Sequence, residues 1–328
     1  MLQLGGAAAS AGQRKRNILR LMHSHTSFKP LFIAFVLACA FFLSAQARET
    51  YAVTGGDYLI EWKGRFTDEQ KYRLQDWLSA LDPAISTLHG AWPRPQIRIE
   101  FVPIDAVSRA SSNTSISPVP FARVIRLRPE GILFYVDPNR SLDEFVADWT
   151  AYHELSHLFI PFPGQADIWF SEGIASYYQN ILQMRSGALS PEQARERLRA
   201  GFERGAKNNQ DADLTLGQLS GDMFERGAFM RVYWTGALYF LEADIELRSR
   251  SNQAGPARTM DEVLQLFGEC CLQAGRSMRG STIAAEFDRL AETELFVPLF
   301  QKYAATRAIP EYEDLLSSST ADQIFSQP

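Results

Sequence analysis

The residue types that could do chemistry are concentrated in one short run, Tyr152-His153-Glu154-Leu155-Ser156-His157. Helical residues four apart share a face, so His153 and His157 can offer two imidazoles to one metal ion. Glu154, one step round from His153, can take a proton from a water that the metal activates. A third donor follows in Trp169-Phe170-Ser171-Glu172-Gly173-Ile174-Ala175-Ser176-Tyr177-Tyr178. Ile168, Trp169, Ala175 and Ser176 share a helix face with Glu172, which turns that carboxylate inward. Unpaired imidazoles and carboxylates are costly to bury, and one cation would satisfy all three. Two histidines and one glutamate leave a fourth position for water, the layout of a catalytic rather than a structural zinc site. The expected ligands of one Zn2+ ion are therefore His153, His157 and Glu172, with Glu154 as general base. The competing reading is an ordinary buried helix with two histidines. Histidine is scarce enough to weigh against it: beyond residue 47 only His89, His153 and His157 occur.

The elements that must position these residues divide near residue 140. Before it, Tyr58–Trp62 has the pattern of a short strand, and Thr67 with Gln70 forms a capping box that opens a helix. Leu74, Trp77, Leu78, Leu81, Ile85 and Leu88 give that helix one apolar stripe. Ile97, Ile99 and Phe101 alternate with Arg98 and Glu100 as a half-buried strand. Val124–Arg128 and Ile132–Val136 are expected as further strands joined by the turn Pro129-Glu130-Gly131, and either could line the cleft and pair with an extended peptide.

After residue 140 the pattern is almost wholly helical. Ser141 with Glu144 caps a helix whose buried stripe, Leu142, Phe145, Val146 and Trp149, runs on into His153 and His157. Pro161, Pro163 and Gly164 break the chain before a helix from about Asp167 to Arg185. Gly187 can stop that helix, and Gly173 lets a second helix approach it closely. Ser190-Pro191 starts another helix. A long one is expected from about Glu225 to Arg248, one opening at Thr259 with Glu262, and two more near Ile283–Thr293 and Phe296–Ala305.

H-E-L-S-H followed by W-F-S-E-G-I-A-S-Y-Y resembles the gluzincin metallopeptidases, and within them the aminopeptidase and glycyl aminopeptidase branches. Tyr233-Trp234-Thr235-Gly236-Ala237-Leu238-Tyr239-Phe240-Leu241-Glu242 is similar to the helix of those families that opens with Tyr-x-Lys-Gly. Looser similarity continues through Ala243–Arg250, Thr259–Val263, Leu299–Tyr303 and Ile309-Pro310, so the resemblance spans roughly Asp143 to Leu316. It implies an α+β, thermolysin-like zincin catalytic domain with a small mixed sheet lobe and a mainly helical C-terminal lobe. It also implies that Tyr233, rather than Tyr239, is the catalytic tyrosine, whose hydroxyl would stabilise an oxyanion.

Three features depart from that pattern. The spacer between His157 and Glu172 is short. The family's lysine is Thr235 here. The Gly-x-Met-Glu-Asn segment that holds a free amino terminus is absent, with Ser117-Pro118-Val119-Pro120-Phe121-Ala122-Arg123 in its expected region. The expected function is a zinc metallopeptidase acting on a peptide or protein substrate, with amino- versus endopeptidase action open. A zincin-fold protein that binds peptides without cleaving them, and a structural protein with a coincidental motif, are the alternatives.

Residues 1–47 stand apart from this organisation. Arg14, Lys15, Arg16, Arg20 and Lys29 precede an apolar run from Leu31 to Leu43, and Ala45 and Ala47 supply a small-x-small cleavage signature. The expectation is a signal peptide and an exported protein, periplasmic or secreted, with Met1 or Met22 as its start. The alternative is a membrane anchor through residues 31–45, although the run is shorter than the ~20 residues of a usual spanning helix. Lipidation at Cys39 fits less well, since apolar residues follow it. The proposed organisation is thus a leader over 1–47, a sheet-containing lobe over 48–140 and a helical lobe over 141–328.

Without the leader, 28 basic residues face 38 acidic ones, a net charge of −10. That balance disfavours a nucleic-acid partner. The chain is 46% hydrophobic and 22% charged over 328 residues, enough to bury a sizeable core. Cys270 and Cys271 sit at the end of an apolar helical pattern, where they are expected as unpaired residues of a helix terminus.

Overall fold

The structure is a computed structural model that describes residues 48–53, 56–89, 94–104, 117–209, 211–250, 258–272 and 276–326. The leader expected over residues 1–47, with Cys39 and the candidate anchor 31–45, lies outside the described residues. None of the described helices is long and apolar enough to cross a membrane.

Five strands form one sheet in the order β1-β2-β3-β5-β4. They are β1 (Glu49–Val53), β2 (Gly56–Trp62), β3 (Gln96–Pro103), β4 (Phe121–Ile125) and β5 (Gly131–Val136). The three central strands are parallel and the two edge strands antiparallel. Helix α1 (Asp68–His89) makes the crossover from β2 to β3, the connection that parallel neighbours require. Its Thr67–Gln70 capping box forms as expected. Leu74, Trp77, Leu78, Leu81, Ile85 and Leu88 are all fully buried. Trp77 lies 6.3 Å, 5.2 Å and 5.0 Å, ring to ring, from Phe101, Phe134 and Phe145, tying the helix to the sheet and to the next element. A Cβ on Gly131 would stand 1.7 Å from the Arg98 carbonyl oxygen, so glycine is required where β5 meets β3.

Strand β4 lies three residues earlier than the sequence pattern suggests. Its register runs from Phe121 opposite Tyr135 to Ile125 opposite Gly131. The strand ends there because Arg126 turns away: its guanidinium donates to the His157 carbonyl at 3.3 Å and reaches Glu130 at 3.5 Å.

The helical part comprises α2 (Leu142–Ala147), α3 (Thr150–Ser156), α4 (Ile168–Arg185), α5 (Pro191–Lys207), α6 (Leu216–Ser220), α7 (Phe229–Ser249), α8 (Met260–Cys270), α9 (Gly280–Ala291), α10 (Phe296–Ala304), α11 (Glu313–Leu316) and α12 (Ser319–Phe325). Helix α4 is buried on every side from Trp169 to Met184, which makes it the centre around which the others pack. Trp169 and Phe170 meet Tyr239, Phe240 and Phe300 in an aromatic cluster with centroid separations of 4.9–5.7 Å. The whole is an α+β arrangement with a small mixed sheet and a predominantly helical remainder, as the sequence implied.

Three other expectations are corrected. The single helix from Ser141 through His157 is two helices. Asp148 adopts an extended backbone (φ −76°, ψ 133°), accepts a hydrogen bond from the Thr150 amide at 2.8 Å and so restarts the helix in a new direction. As a result Trp149 is not in a buried stripe but 46% exposed. The long helix starts at Phe229 rather than Glu225, because Gly227 sits in the left-handed region (φ 64°) and closes a preceding turn. Cys270 and Cys271 do terminate a helix, but they are joined by a disulfide. Cys271 leaves helical geometry (φ −126°, ψ −15°), which lets neighbouring Sγ atoms meet.

Candidate metal centre

His153 lies in the last turn of α3, and His157 follows at the C-cap, at the start of a 3-10 turn over His157–Phe159. The backbone remains helical at His157 (φ −61°, ψ −20°), so the i, i+4 relation survives the end of the helix. Their rings stand edge to face, 4.9 Å apart. Glu172 enters from the first turns of α4, after the Pro161–Gly164 break (Gly164 φ 89°) has brought the chain back. Among the described residues these three form a group whose potential ligand atoms all lie within 4.8 Å of one another. All three are buried.

The donors are aimed as well as clustered. His153 Nδ1 lies 2.9 Å from Gln179 Oε1, and with that oxygen accepting, the ring proton is on Nδ1 and Nε2 carries a lone pair. His157 Nδ1 lies 2.9 Å from Ser171 Oγ, a contact that fixes the orientation of that ring. The two Nε2 atoms face one oxygen, Glu172 Oε2, at 3.4 Å and 3.7 Å. That oxygen is buried without a hydrogen-bond partner. Donors ~2.0–2.1 Å from a shared tetrahedral centre stand roughly 3.4 Å apart, so the residues fit a zinc ion. Gln179 and Ser171, which orient the two rings, were not singled out from the sequence. Nothing in their types or spacing marks them, although Ser171 adjoins Glu172 and Gln179 lies two turns further along the same helix.

The surroundings tune the charges. Burial presses the His153 pKa down, but the adjoining Glu172 and Glu154 carboxylates outweigh it and leave it raised. Burial holds His157 down at about 3. Glu172 is buried too, yet the two imidazoles keep its pKa below the ordinary value. Glu154 is pushed up to about 7, chiefly by burial and partly offset by His153. A carboxyl poised there can both accept and release a proton near neutrality.

Tyr233, on α7, stacks on His153 with ring centroids 5.9 Å apart and planes 25° apart. Its hydroxyl is kept protonated by burial and by the Glu172 and Glu154 charges, which raise its pKa. Tyr239, the other candidate on the same helix, is fully buried and donates to the Phe296 carbonyl at 3.2 Å, away from the centre. The two helices come close enough for this arrangement because Gly173 meets Gly236 backbone to backbone.

The centre opens into a cleft with two cavities. One, of about 370 Å³, brings β4 and Arg126 together with Glu154, Glu172 and Tyr233. The other, of about 420 Å³, is mostly apolar and is lined by Trp149, Met230 and Trp234 among others. His153 and Tyr233 line both. Trp149, displaced from the core, stands edge-on to His153 at 5.5 Å and forms part of the wall.

Comparison with known proteins agrees with this picture. The family model for the M61 glycyl aminopeptidase matches residues 163–238, a span that includes Glu172 and Tyr233. No curated protein matches the chain. Among solved structures, the chain is similar to an aminopeptidase N family protein from Idiomarina loihiensis, with 16% identity and a TM-score of 0.53 over 82% of this chain and 48% of that one. It is also similar to an M1 zinc metallopeptidase from Deinococcus radiodurans, a variant bound to a Tyr-Ser-Ala substrate, with 14% identity and a TM-score of 0.50 over 81% and 53% of the two chains. The chain thus spans about half the length of these structures. The likeness is one of fold: a zincin-type domain resembling the catalytic domain of gluzincin aminopeptidases.

Proposed function

We propose that this chain is a zinc-dependent metallopeptidase that hydrolyses peptide bonds. The observation that carries the reading is the convergence of His153 Nε2, His157 Nε2 and Glu172 Oε2 on one point, beside the Glu154 carboxyl that lines the same cavity. One zinc ion held by these three residues would polarise the scissile carbonyl and acidify a water. Glu154 accepts the proton from the attacking water and returns it to the departing amine. Tyr233 donates its hydroxyl proton in a hydrogen bond to the oxygen on which negative charge develops. Gln179 holds the His153 imidazole in the tautomer that leaves Nε2 free, and Ser171 holds the His157 ring in place.

Strand β4 supplies a way to hold the substrate. Among the described residues it pairs with β5 on one side only, and it lines the cavity that contains Glu154. An extended peptide laid antiparallel along its free edge would present a backbone carbonyl to the centre. The leader over residues 1–47 is proposed to export the enzyme to the periplasm or the exterior.

The test is digestion of a diverse peptide pool by the zinc-loaded chain with mass readout. Cleavage that a chelator abolishes and zinc restores is expected. An intact pool in the presence of protein verified to hold zinc would overturn the proposal. Trimming of single residues from the amino end would indicate an aminopeptidase, and internal cuts an endopeptidase.

A further inference from the structure

The cleft of this acidic protein has basic walls. The chain as a whole carries a net charge of −5. Yet the two cavities that flank the His153–Tyr233 stack each present two arginines. Arg123 and Arg126 lie along β4 and just beyond it. Arg197 and Arg204 are seven residues apart on α5, two turns along one face. The only carboxylates among the described lining residues are Glu154 and Glu172, both taken up by the proposed chemistry.

The arginines differ in how far they are neutralised: Arg126 feels Glu130, Glu154 and Glu172, and Arg204 feels only Glu203. Arg126 shares Glu130 with Arg94, which holds that carboxylate at 2.5 Å, so two cations divide one anion. The Arg204 guanidinium lies over the Trp234 ring at 4.9 Å. Arg197 donates to the neutral Gln183 amide at 3.1 Å. The apolar cavity, whose described lining carries Arg197 and Arg204 and no carboxylate, is the one-signed part of the cleft, and such a cavity concentrates ligands of the opposite sign. A substrate's amino terminus, by contrast, meets no free carboxylate among the described lining residues.

We infer that the cleft selects peptides that carry a carboxylate close to the scissile bond, and does not anchor a free amino terminus. This rests on the peptidase reading and adds its substrate class. The apolar cavity takes the hydrocarbon part of a side chain beside the cut, and Arg204 or Arg197 at its wall meets the carboxylate. Arg123 and Arg126 do the same for a carboxylate on the β4 side. The carboxylate can come from an acidic side chain or from a nearby C-terminus.

The test measures binding, so that it does not depend on turnover. Zinc-loaded full-length protein carrying Glu154→Gln is titrated with fluorescent peptides blocked at both ends that differ only in Glu, Gln or Lys beside the central bond. Two further peptides are the Gln peptide with a free C-terminal acid and the Gln peptide with a free amino terminus. The Glu peptide is expected to bind about fivefold tighter than the Gln peptide, the worth of one solvent-facing ion pair, and the Lys peptide more weakly still. The preference should shrink in high salt, and Arg123→Gln or Arg204→Gln should bring the Glu-to-Gln ratio towards one. A gain for the free C-terminal acid alone would assign the site to chain ends rather than acidic side chains. Equal binding of Glu, Gln and Lys peptides with no gain from the free C-terminal acid, or a gain from the free amino terminus, would overturn the inference. Acidic peptides that bind with this preference but are never cut by the zinc-loaded parent would refute the peptidase reading while leaving the inference standing. Cleavage without any charge preference would do the reverse.

Discussion

Replacing Gly173 by alanine probes how the fold builds the centre. Glycine is a poor helix former, and in an unconstrained helix this change would stabilise by about 1 kcal/mol. Here the added Cβ would lie 2.5 Å from the Gly236 carbonyl carbon, 2.6 Å from its oxygen and 2.7 Å from its Cα. Carbon atoms make their best contact at about 3.5–4.0 Å, so α4 and α7 must part by roughly 1 Å. The obstacle is backbone and cannot rotate away, and α4, buried on every side, has no free direction in which to shift. Overpacking of this kind costs about 1–3 kcal/mol or more, enough to reverse the helix-propensity gain. Set against that gain, we expect Gly173→Ala to lose a net of about 1 kcal/mol of unfolding free energy in urea titrations of the metal-free protein.

The same displacement separates Glu172, which adjoins Gly173, from Tyr233, three residues before Gly236. A misplacement of that size costs on the order of 100-fold in kcat/KM. Gly236→Ala should behave alike, since its Cβ would meet the Trp169 carbonyl oxygen at 2.3 Å. A Gly173→Ala protein that is more stable than the parent and unchanged in turnover would refute the reasoning.

Further outcomes follow from the residues around the centre and from the sheet. Tyr233→Phe should keep its zinc but lose about 100-fold in kcat, the usual worth of one oxyanion donor; an unchanged kcat would remove Tyr233 from the chemistry. Gln179→Leu and Ser171→Ala release the imidazole Nδ1 atoms and should each weaken zinc binding about 10- to 100-fold in competition with a fluorescent chelator, whereas unaltered affinity would make them bystanders. Glu61 on β2 should govern acid stability. Burial works to raise its pKa, but Lys63 and Arg48, with Arg98 beside them, outweigh this and hold it at about 2. With a depressed folded-state value, its contribution is complete above the ordinary 4.5 and is lost as pH falls towards 2. Allowing for solvent screening it amounts to about 1 kcal/mol, and Glu61→Gln should flatten the stability loss over that range in urea titrations at stepped pH. An equally steep loss in the variant would count against it.

Much of this was legible in the sequence because the signals were local. Thr67–Gln70, Ser141–Glu144 and Thr259–Glu262 mark helix starts through contacts made within one turn, and all three capping boxes form. His153 and His157 share a face for the same local reason, and Glu172 could be placed inward from the apolar residues around it. What failed depended on partners distant in the chain. The break at Asp148 is stabilised by a side chain capping its own neighbours and by Ser117, 31 residues away. The end of β4 is set by Arg126 reaching His157 and Glu130. Gln179 has the composition of any helix surface, and its role is visible only once His153 lies against it. The paired cysteines were missed because helical geometry holds adjacent Sγ atoms apart, and the sequence does not show that Cys271 has already left the helix.

The central claim is that Glu154 moves the proton for a reaction centred on His153, His157 and Glu172. Its most direct test is the turnover of one cleaved peptide by the parent and by Glu154→Gln, each with zinc content measured on the same preparation. The account predicts equal zinc, one ion per chain, and turnover lost by at least about 100-fold, the lower range for removing a general base. Undiminished turnover in the zinc-replete variant would contradict it.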